Sequence, residues 1–292
     1  MARKFFVGAL ILLMGAMIFS AADAKSQAKW RLDGSASAQM PRNFRVIDDL
    51  RASASAQPSL EAFKTLFDTL HELDPDAKFF MVDLRQETHG FANGLPVSLH
   101  VKHNAINAGK TSAEVQQIER DELNNLRGVE TTFIPMGKAD TQTLKPLTII
   151  PRVTLTERDA AERAGFSYVR FAAADMQFPA PDVVDDFISF VAALPDNAWL
   201  HFHCQAGHGR TTTFLVMYEL LRNPDAELEE ICLRQKNLGG SDILATSNGK
   251  DWNARMTNDR AKKIRLFSEY VKCNRAEQIG LPWSEWLKEI DR

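Results

Sequence analysis

The stretch Ala198-Trp199-Leu200-His201-Phe202-His203-Cys204-Gln205-Ala206-Gly207-His208-Gly209-Arg210-Thr211 decides the fold. An apolar run leads into a Cys, an Arg follows after a loop holding two Gly, and a second apolar run, Thr213–Tyr218, comes next. This order reads as a strand, a tight loop and a helix N-terminus. The spacing lets the loop curl until Cys204 and Arg210 address one point. Backbone N–H groups and the positive end of the helix face that point. Such a field holds a phosphate and stabilises a thiolate, which makes Cys204 a candidate nucleophile.

The chemistry of a thiolate and a phosphate ester assigns the neighbours. Arg210 offers a planar fork of donors to the transferring oxygens. The backbone of Gln205, Ala206, Gly207, His208 and Gly209 cradles the same group. Thr211 suits the stabilisation of Cys204 as leaving group when water breaks a phosphocysteine. The departing alcohol oxygen needs a proton from another element. Asp175 follows a strand and three small Ala residues and precedes Phe178-Pro179, and is the candidate acid. Asp182 sits where a helix begins and reads as a cap. Asp185 and Asp186 read as a solvated helix face. His203 is expected to orient the loop through a hydrogen bond. His201, two residues back on the same strand face, reads as a core histidine. His208 either adds positive charge to the cradle when protonated or faces solvent.

The rest of the chain sets the context. Its 292 residues make one large domain or two smaller ones. The net charge of −3 argues against nucleic acid as a partner. It leaves an anionic substrate open, because pocket charge is local. Arg3 and Lys4, the apolar stretch Phe5–Phe19 and the small residues Ala22-Asp23-Ala24 have the order of a secretory signal cleaved after Ala24. Residues 1–24 are therefore read as a signal peptide, and the mature protein as periplasmic or secreted without a stable membrane anchor. Lys25–Met40 is small and polar and reads as a loose segment. Cys232 and Cys273 either pair with each other or remain buried thiols.

Periodicity predicts helices over Ser59–Leu73, Ser112–Leu126, Glu157–Gly165, Asp182–Leu194, Leu228–Asn237, Trp252–Cys273 and Trp283–Glu289. It predicts strands over Phe79–Leu84, Val97–Val101, Thr131–Ile134, Leu147–Leu155 and Tyr168–Phe171, with Arg85–Gly94 a Gly-punctuated loop. Strands alternating with helices point to an α/β fold, a central sheet with helices on both faces. Residues 41–292 then form one domain, with a β-rich insertion at about 91–156.

Several segments together resemble the cysteine phytases, the protein-tyrosine-phosphatase-like inositol polyphosphate phosphatases. They are Asn43-Phe44-Arg45, Val82–Gly90, Asn93–Ser98, Asp175 with Phe178-Pro179, Asp196–Gly207 and Pro282–Lys288. The resemblance runs from about Pro41 to Trp286. It implies a tyrosine-phosphatase-like core carrying a partial β-barrel, and hydrolysis of phytate and lower inositol phosphates without a metal or other cofactor. It implies a small polyanionic substrate as the partner. Cys204, Arg210, Asp175 and Thr211 match the family's catalytic positions, and Arg45 and Asp83 match substrate-pocket positions. Arg85 and His89 fall within the family signature without a role that the sequence assigns. After Trp252 the family carries Lys and Tyr contacts; this chain has Asn253, Thr257 and Arg260 there, and Arg260 alone keeps the charge. A secreted protein-tyrosine phosphatase is the alternative function, since the same cradle serves it. A phosphate-binding module with little catalysis fits the complete Cys204, Arg210 and Asp175 set less well.

Overall fold

The computed structural model describes residues 28–36, 40–277 and 280–290. The signal-peptide reading of residues 1–24 lies outside them. The strands in chain order are β1 (Lys29–Leu32), β2 (Arg45–Ile47), β3 (Ala52–Ser55), β4 (Lys78–Arg85), β5 (His89–Ala92), β6 (Leu95–His100), β7 (Thr131–Pro135), β8 (Leu147–Ile149), β9 (Thr154–Leu155), β10 (Ser167–Ala173) and β11 (Ala198–His203). The helices are α1 (Ala62–Leu73), α2 (Ser112–Asn125), α3 (Lys138–Thr143), α4 (Glu157–Ala164), α5 (Pro181–Ala192), α6 (Gly209–Arg222), α7 (Leu228–Asn237), α8 (Trp252–Glu277) and α9 (Trp283–Ile290).

Two sheets divide the strands. The first has the order β10-β4-β11-β3-β2, parallel except for β2. Its central strands β4 and β11 are hydrophobic on both faces at their starts, as a sheet covered by helices requires. Side-chain alternation sorts these residues. Phe79, Met81 and Trp199 pack with Phe63, Leu66 and Leu70 of α1 and Ala160 and Ala161 of α4. Val82, Leu84, Leu200 and Phe202 pack on the other side with α5, α6, α7 and α8. The expected sheet with helices on both faces is thus present. The second sheet has the order β8-β7-β1-β6-β5-β9 and closes over Leu32, Val97, Phe133, Leu123 and Leu126. It forms the partial barrel.

Local signals explain the helix starts. Thr111 with Glu114, and Thr156 with Asp159, form reciprocal capping boxes ahead of α2 and α4. Ser59 Oγ accepts from Ala62 N at 3.1 Å ahead of α1. Pro181 opens α5, where a missing N–H costs nothing.

The structure corrects four expectations. The segment read as loose contains β1, which pairs with β6 and β7 in the middle of the second sheet. The segment read as the loop Arg85–Gly94 contains β5, which comes three residues after β4 and carries the chain from one sheet to the other. The stretch Leu147–Leu155 is two short strands, split at Pro151, whose ring cannot donate to a ladder. Cys232 is buried but Cys273 is exposed, and both are free thiols. Burial pushes the Cys232 thiol up to about 12.

β1 leads directly into Asp33. That residue is buried, and its carboxylate contacts Arg85 Nη1 at 2.9 Å and Arg31 Nε at 3.0 Å, and accepts from Ser98 Oγ at 3.1 Å. Asp33→Ala would leave the buried Arg85 short of a counter-charge. Urea unfolding should show a loss of about 3 kcal/mol. A loss below about 0.5 kcal/mol, as for an ordinary surface site, would return this segment to the status of a loose tail.

Candidate active site

The loop after β11 is built from its outside inward. Gln57 N donates to Gln205 O at 3.2 Å, Asn43 Nδ2 to Ala206 O at 2.7 Å, and Arg45 Nη1 to Gly207 O at 3.0 Å. In a trans peptide the N–H points opposite to its carbonyl. With the carbonyls of 205–207 engaged by the flanking segment 43–57, the N–H groups of 206–208 face the concave side. Gly207 has φ +74°, and a Cβ there would stand 2.6 Å from Ala56 N and Ser55 C. Only glycine fits that left-handed, crowded position. The first bond of the adjoining helix is Thr212 N to His208 O at 2.8 Å. The N–H groups of Gly209, Arg210 and Thr211 therefore precede the helical ladder and remain for a ligand.

Cys204 stands at the base of this cradle, 4% exposed. Arg210 is gripped from behind. Its Nη1 donates to Glu87 Oε2 at 2.6 Å and its Nη2 to Glu87 Oε1 at 3.0 Å, a bidentate pair. Arg85 Nε donates to the same Glu87 at 2.8 Å. Burial works against the Glu87 carboxylate, but Arg210 and Arg85 outweigh it and hold its pKa well below the ordinary range. Glu87 lies in the short crossing between β4 and β5, so the passage between the sheets sets the angle of Arg210.

Asp175 follows β10. Its Oδ1 lies 3.5 Å from Arg210 Nε and accepts from Met176 N at 3.1 Å, and its side chain is 42% exposed. The carboxyl thus sits on a turn, open to solvent and beside the Arg210 guanidinium. Arg45 and Arg260 are both buried and flank the loop. Burial lowers Arg45 to about 10, with Cys204 opposing the shift. Arg260 Nη1 would lie 2.9 Å from a Cβ on Gly209. A side chain at position 209 would displace it. Burial lowers Arg260 as well, with Asp175 opposing. Arg45 Nε and Nη2 and Arg260 Nε are buried and make no hydrogen bond among the described residues. Thr211 Oγ1 is also buried without a hydrogen bond there.

Asp83, which the resemblance places in the substrate pocket, lies elsewhere, and His203 turns away from the cradle to a buried carboxylate, as a loop-orienting residue would. Asp83 is fully buried behind the cradle, where it accepts from Tyr168 Oη at 2.6 Å and from Arg85 N at 2.9 Å. His203 is fully buried, and its Nε2 lies 2.5 Å from Glu157 Oε1. Strand alternation explains both. Met81, Asp83 and Arg85 of β4 and Trp199, His201 and His203 of β11 share the face of α1 and α4. His201 is the expected core histidine, with Ser53 Oγ and Ser55 Oγ each 2.9 Å from its ring nitrogens. Burial, His203 and Arg45 keep it neutral, well below its usual range. His208 is exposed, and its Nε2 lies 2.9 Å from Asn43 Nδ2. Partial burial and the nearby Arg45 and Arg42 lower it, against a role as an added cation.

Sequence reasoning missed Glu157, Glu87 and Asn43 as members of the site's frame. Glu157 opens α4, is fully buried, and joins His203 to His89 Nε2, the latter at 2.8 Å. Asp83, His89 and Glu157 have the proximity of metal ligands. However, both His89 nitrogens face acceptors, Nδ1 to Glu87 O at 2.9 Å and Nε2 to Glu157. That is the hydrogen-bonding of an imidazolium, which binds no metal. Burial disfavours its charge, but Asp83 and Glu119 outweigh this and raise it to about 10. Burial would raise Glu157, yet His203 and its hydrogen-bond partners bring it down to about 2.

The family model of the PTP-like phytases, described as inositol hexakisphosphate, matches residues 82–222. The PTP-like phytase of Bdellovibrio bacteriovorus is 34% identical, with a TM-score of 0.73 over 89% of this chain and 94% of that one. This chain belongs to the PTP-like phytase family. The PTP-like myo-inositol phosphatase of Mitsuokella multacida, solved in complex with myo-inositol-(1,3,4,5)-tetrakisphosphate, is 34% identical with a TM-score of 0.82; the match covers 89% of this chain and 49% of that one. The effector protein hopD2 of Pseudomonas syringae pv. tomato is 28% identical over 221 residues, 72% of this chain and 46% of its own length. The chain spans about half the length of these last two proteins. The stretch matched by the family model starts in β4 and ends with α6, and so takes in the Glu87 crossing, Asp175 and the cradle.

Two measurements test this frame. Glu87→Gln should weaken binding of inorganic phosphate, read by calorimetry, about tenfold or more, because Arg210 loses its bidentate anchor. Unchanged binding would show that Arg210 holds its angle without Glu87. The Glu157 carboxylate is depressed on folding, so its stabilisation is present above about pH 4.5 and is lost as pH falls toward 2. This amounts to about 3 kcal/mol of acid-dependent stability. The gap in unfolding free energy between wild type and Glu157→Gln should narrow by that order between pH 5 and pH 2; a constant gap would contradict the assignment.

Proposed function

We propose that this PTP-like phytase is an exported cysteine-dependent phosphatase that removes phosphates from myo-inositol polyphosphates. The observation that carries the reading is the set of buried arginines around one cysteine. Arg45, Arg210 and Arg260 flank the cradle, and each keeps at least one buried nitrogen without a hydrogen bond among the described residues. Three cations at a single small loop suit a compact polyanion. The Mitsuokella relative's complex with an inositol tetrakisphosphate agrees with it.

The proposed reaction has two steps. The Cys204 thiolate attacks phosphorus, an S–P bond forms, and the P–O bond to the inositol carbon skeleton breaks. Asp175 gives its proton to the departing oxygen. The cradle N–H groups and Arg210 hold the three equatorial oxygens as charge spreads over them. Water then attacks the phosphocysteine, Asp175 takes a proton from it, the S–P bond breaks, and phosphate leaves. The Thr211 hydroxyl, buried beside the loop, stabilises the returning thiolate. Export rests on the N-terminal residue pattern, with an effector protein among the relatives; N-terminal sequencing of the mature protein tests for cleavage after Ala24.

The catalytic assignment is tested by comparing inositol hexakisphosphate, a phosphotyrosine peptide and an activated aryl phosphate. Cys204→Ser should keep ligand binding and bring turnover below about a thousandth of wild type. Asp175→Asn should slow the inositol substrate about a hundredfold and the aryl phosphate, whose leaving group needs little help, much less. Equal losses on both would make Asp175 a structural residue. A wild-type preference for the peptide would move the protein to the tyrosine-phosphatase reading.

A further inference from the structure

One ring pair lies apart from the cradle and its charge network. The His103 imidazole stacks on the Trp252 indole, with centroids 4.1 Å apart and planes 25° from parallel. His103 is exposed and Trp252 partly so. The two residues come from different parts of the fold, the turn after β6 and the first residue of α8.

The backbone on the His103 side is unusual. His103, Asn104 and Asn107 have φ of 58°, 53° and 64°, three left-handed residues within five. Such positions persist when the surroundings hold them, and they gather at ligand sites. Here the hold comes from the crossing that carries Glu87. Gln86 Nε2 donates to Ile106 O at 3.0 Å, and Asn107 Nδ2 donates to Gln86 O at 3.2 Å and Thr88 Oγ1 at 3.0 Å. The His103 turn is thus fastened to the residues on either side of the Arg210 anchor.

The Trp252 side is fastened to the cradle from the opposite direction. Asp251 Oδ1 accepts from Ala254 N at 2.8 Å and starts α8. Asn258 clips the lead-in through Ser247 N and O, both at 2.8 Å. Two turns beyond Trp252, Arg260 presses on Gly209. Ser112 Oγ, at the start of α2, accepts from Ala172 N at 3.0 Å, which ties the segment after the His103 turn to the strand leading to Asp175. The pair therefore joins the partial barrel to α8 on the Asp175 side of the site.

We propose that the His103–Trp252 stack is a clasp that closes this wall of the site and selects a compact, multiply phosphorylated ring over a phosphorylated polypeptide. The inference rests on the inositol polyphosphate reading and adds what enforces it. A polypeptide must lay its main chain across the mouth of the site on both sides of the phosphorylated residue. A wall on the Asp175 side obstructs that path. A ring with phosphates on its rim has no chain to lay across the mouth and keeps its charges within reach of Arg45 and Arg260. Two surface rings serve the purpose because stacking removes apolar area from water while leaving the clasp at the surface.

The test uses the full chain with His103→Ala, Trp252→Ala, the double variant and His103→Phe, which keeps a ring to stack. Substrates are inositol hexakisphosphate, an activated aryl phosphate and a phosphotyrosine peptide. Each Ala variant should lower kcat/KM for the hexakisphosphate relative to the aryl phosphate about fivefold, mainly through KM, and raise relative turnover of the peptide. The double variant should do no more than the single ones, since the rings act as a unit. His103→Phe should keep the wild-type ratios. Ratios within about twofold of wild type in both Ala variants, or additive losses in the double variant, would overturn the proposal. So would His103→Phe behaving as His103→Ala, because the imidazole would then act on the substrate and not on Trp252. Failure of the wild type on the hexakisphosphate would instead overturn the substrate reading, and the peptide-to-aryl ratio would still decide the clasp.

Discussion

The bidentate ion pair between Glu87 and Arg210 is the constraint on which the site depends. It is the last link in a row of buried charges that alternate in sign: Asp33, Arg85, Glu87, Arg210. None of these groups tolerates isolation in a protein interior, since an unpaired buried charge costs several kcal/mol. Each therefore fixes the next. The row starts in the strand region of the partial barrel, crosses the β4–β5 passage and ends at the first turn of α6. The barrel is held to the α/β core by the same contacts that aim the Arg210 guanidinium.

A second group of charges lies on the other side of the same passage. Arg170 donates to Glu119 at 2.7 Å and to the backbone of Arg85 and Glu87. Asp83, His89, Glu157 and His203 complete it. It reaches the residue before Cys204 through Glu157, which belongs to a helix of the surrounding scaffold. The cradle is thus braced at both ends, by Glu87 at Arg210 and by Glu157 at His203, while its middle is braced by Asn43, Arg45 and Gln57 through the loop carbonyls. A loop bonded through its carbonyls has its N–H groups already oriented, and little reorganisation remains when charge develops on a ligand.

Much of this could be read in the residues beforehand, and the failures have physical causes. The strand–loop–helix around Cys204 was readable because chemistry dictates it: a fixed spacing, two glycines and an apolar run on each side. The long helices were readable from their periodicity. β1, β2 and β3 were not, because Lys29–Leu32, Arg45–Ile47 and Ala52–Ser55 are too short to show alternation and owe their conformation to partners distant in sequence. Asp83 is assigned to the substrate pocket by family resemblance alone, and neither it nor His203 carries a local signal of its depth. Following the face set by Phe79, Met81 and Trp199 along β4 and β11 would have placed them inward. Glu157 showed no sign beyond being an acid at a helix start, where an exposed carboxylate is the ordinary outcome.

The strand order has a consequence for how the chain acquires its shape. The central neighbours β4 and β11 pair residues 78–83 with residues 198–203, and between them the chain makes the rest of the partial barrel and returns through β10. The core sheet is incomplete until nearly the whole polypeptide up to His203 is available on one side of any barrier. Until then Glu87 has no Arg210 to pair with. Non-local pairing of this kind is slow to form, because loop-closure entropy is lost before any contact compensates for it. The polypeptide therefore stays open until that late strand is available, and the export proposed above would need the chain to cross before β4 and β11 have paired.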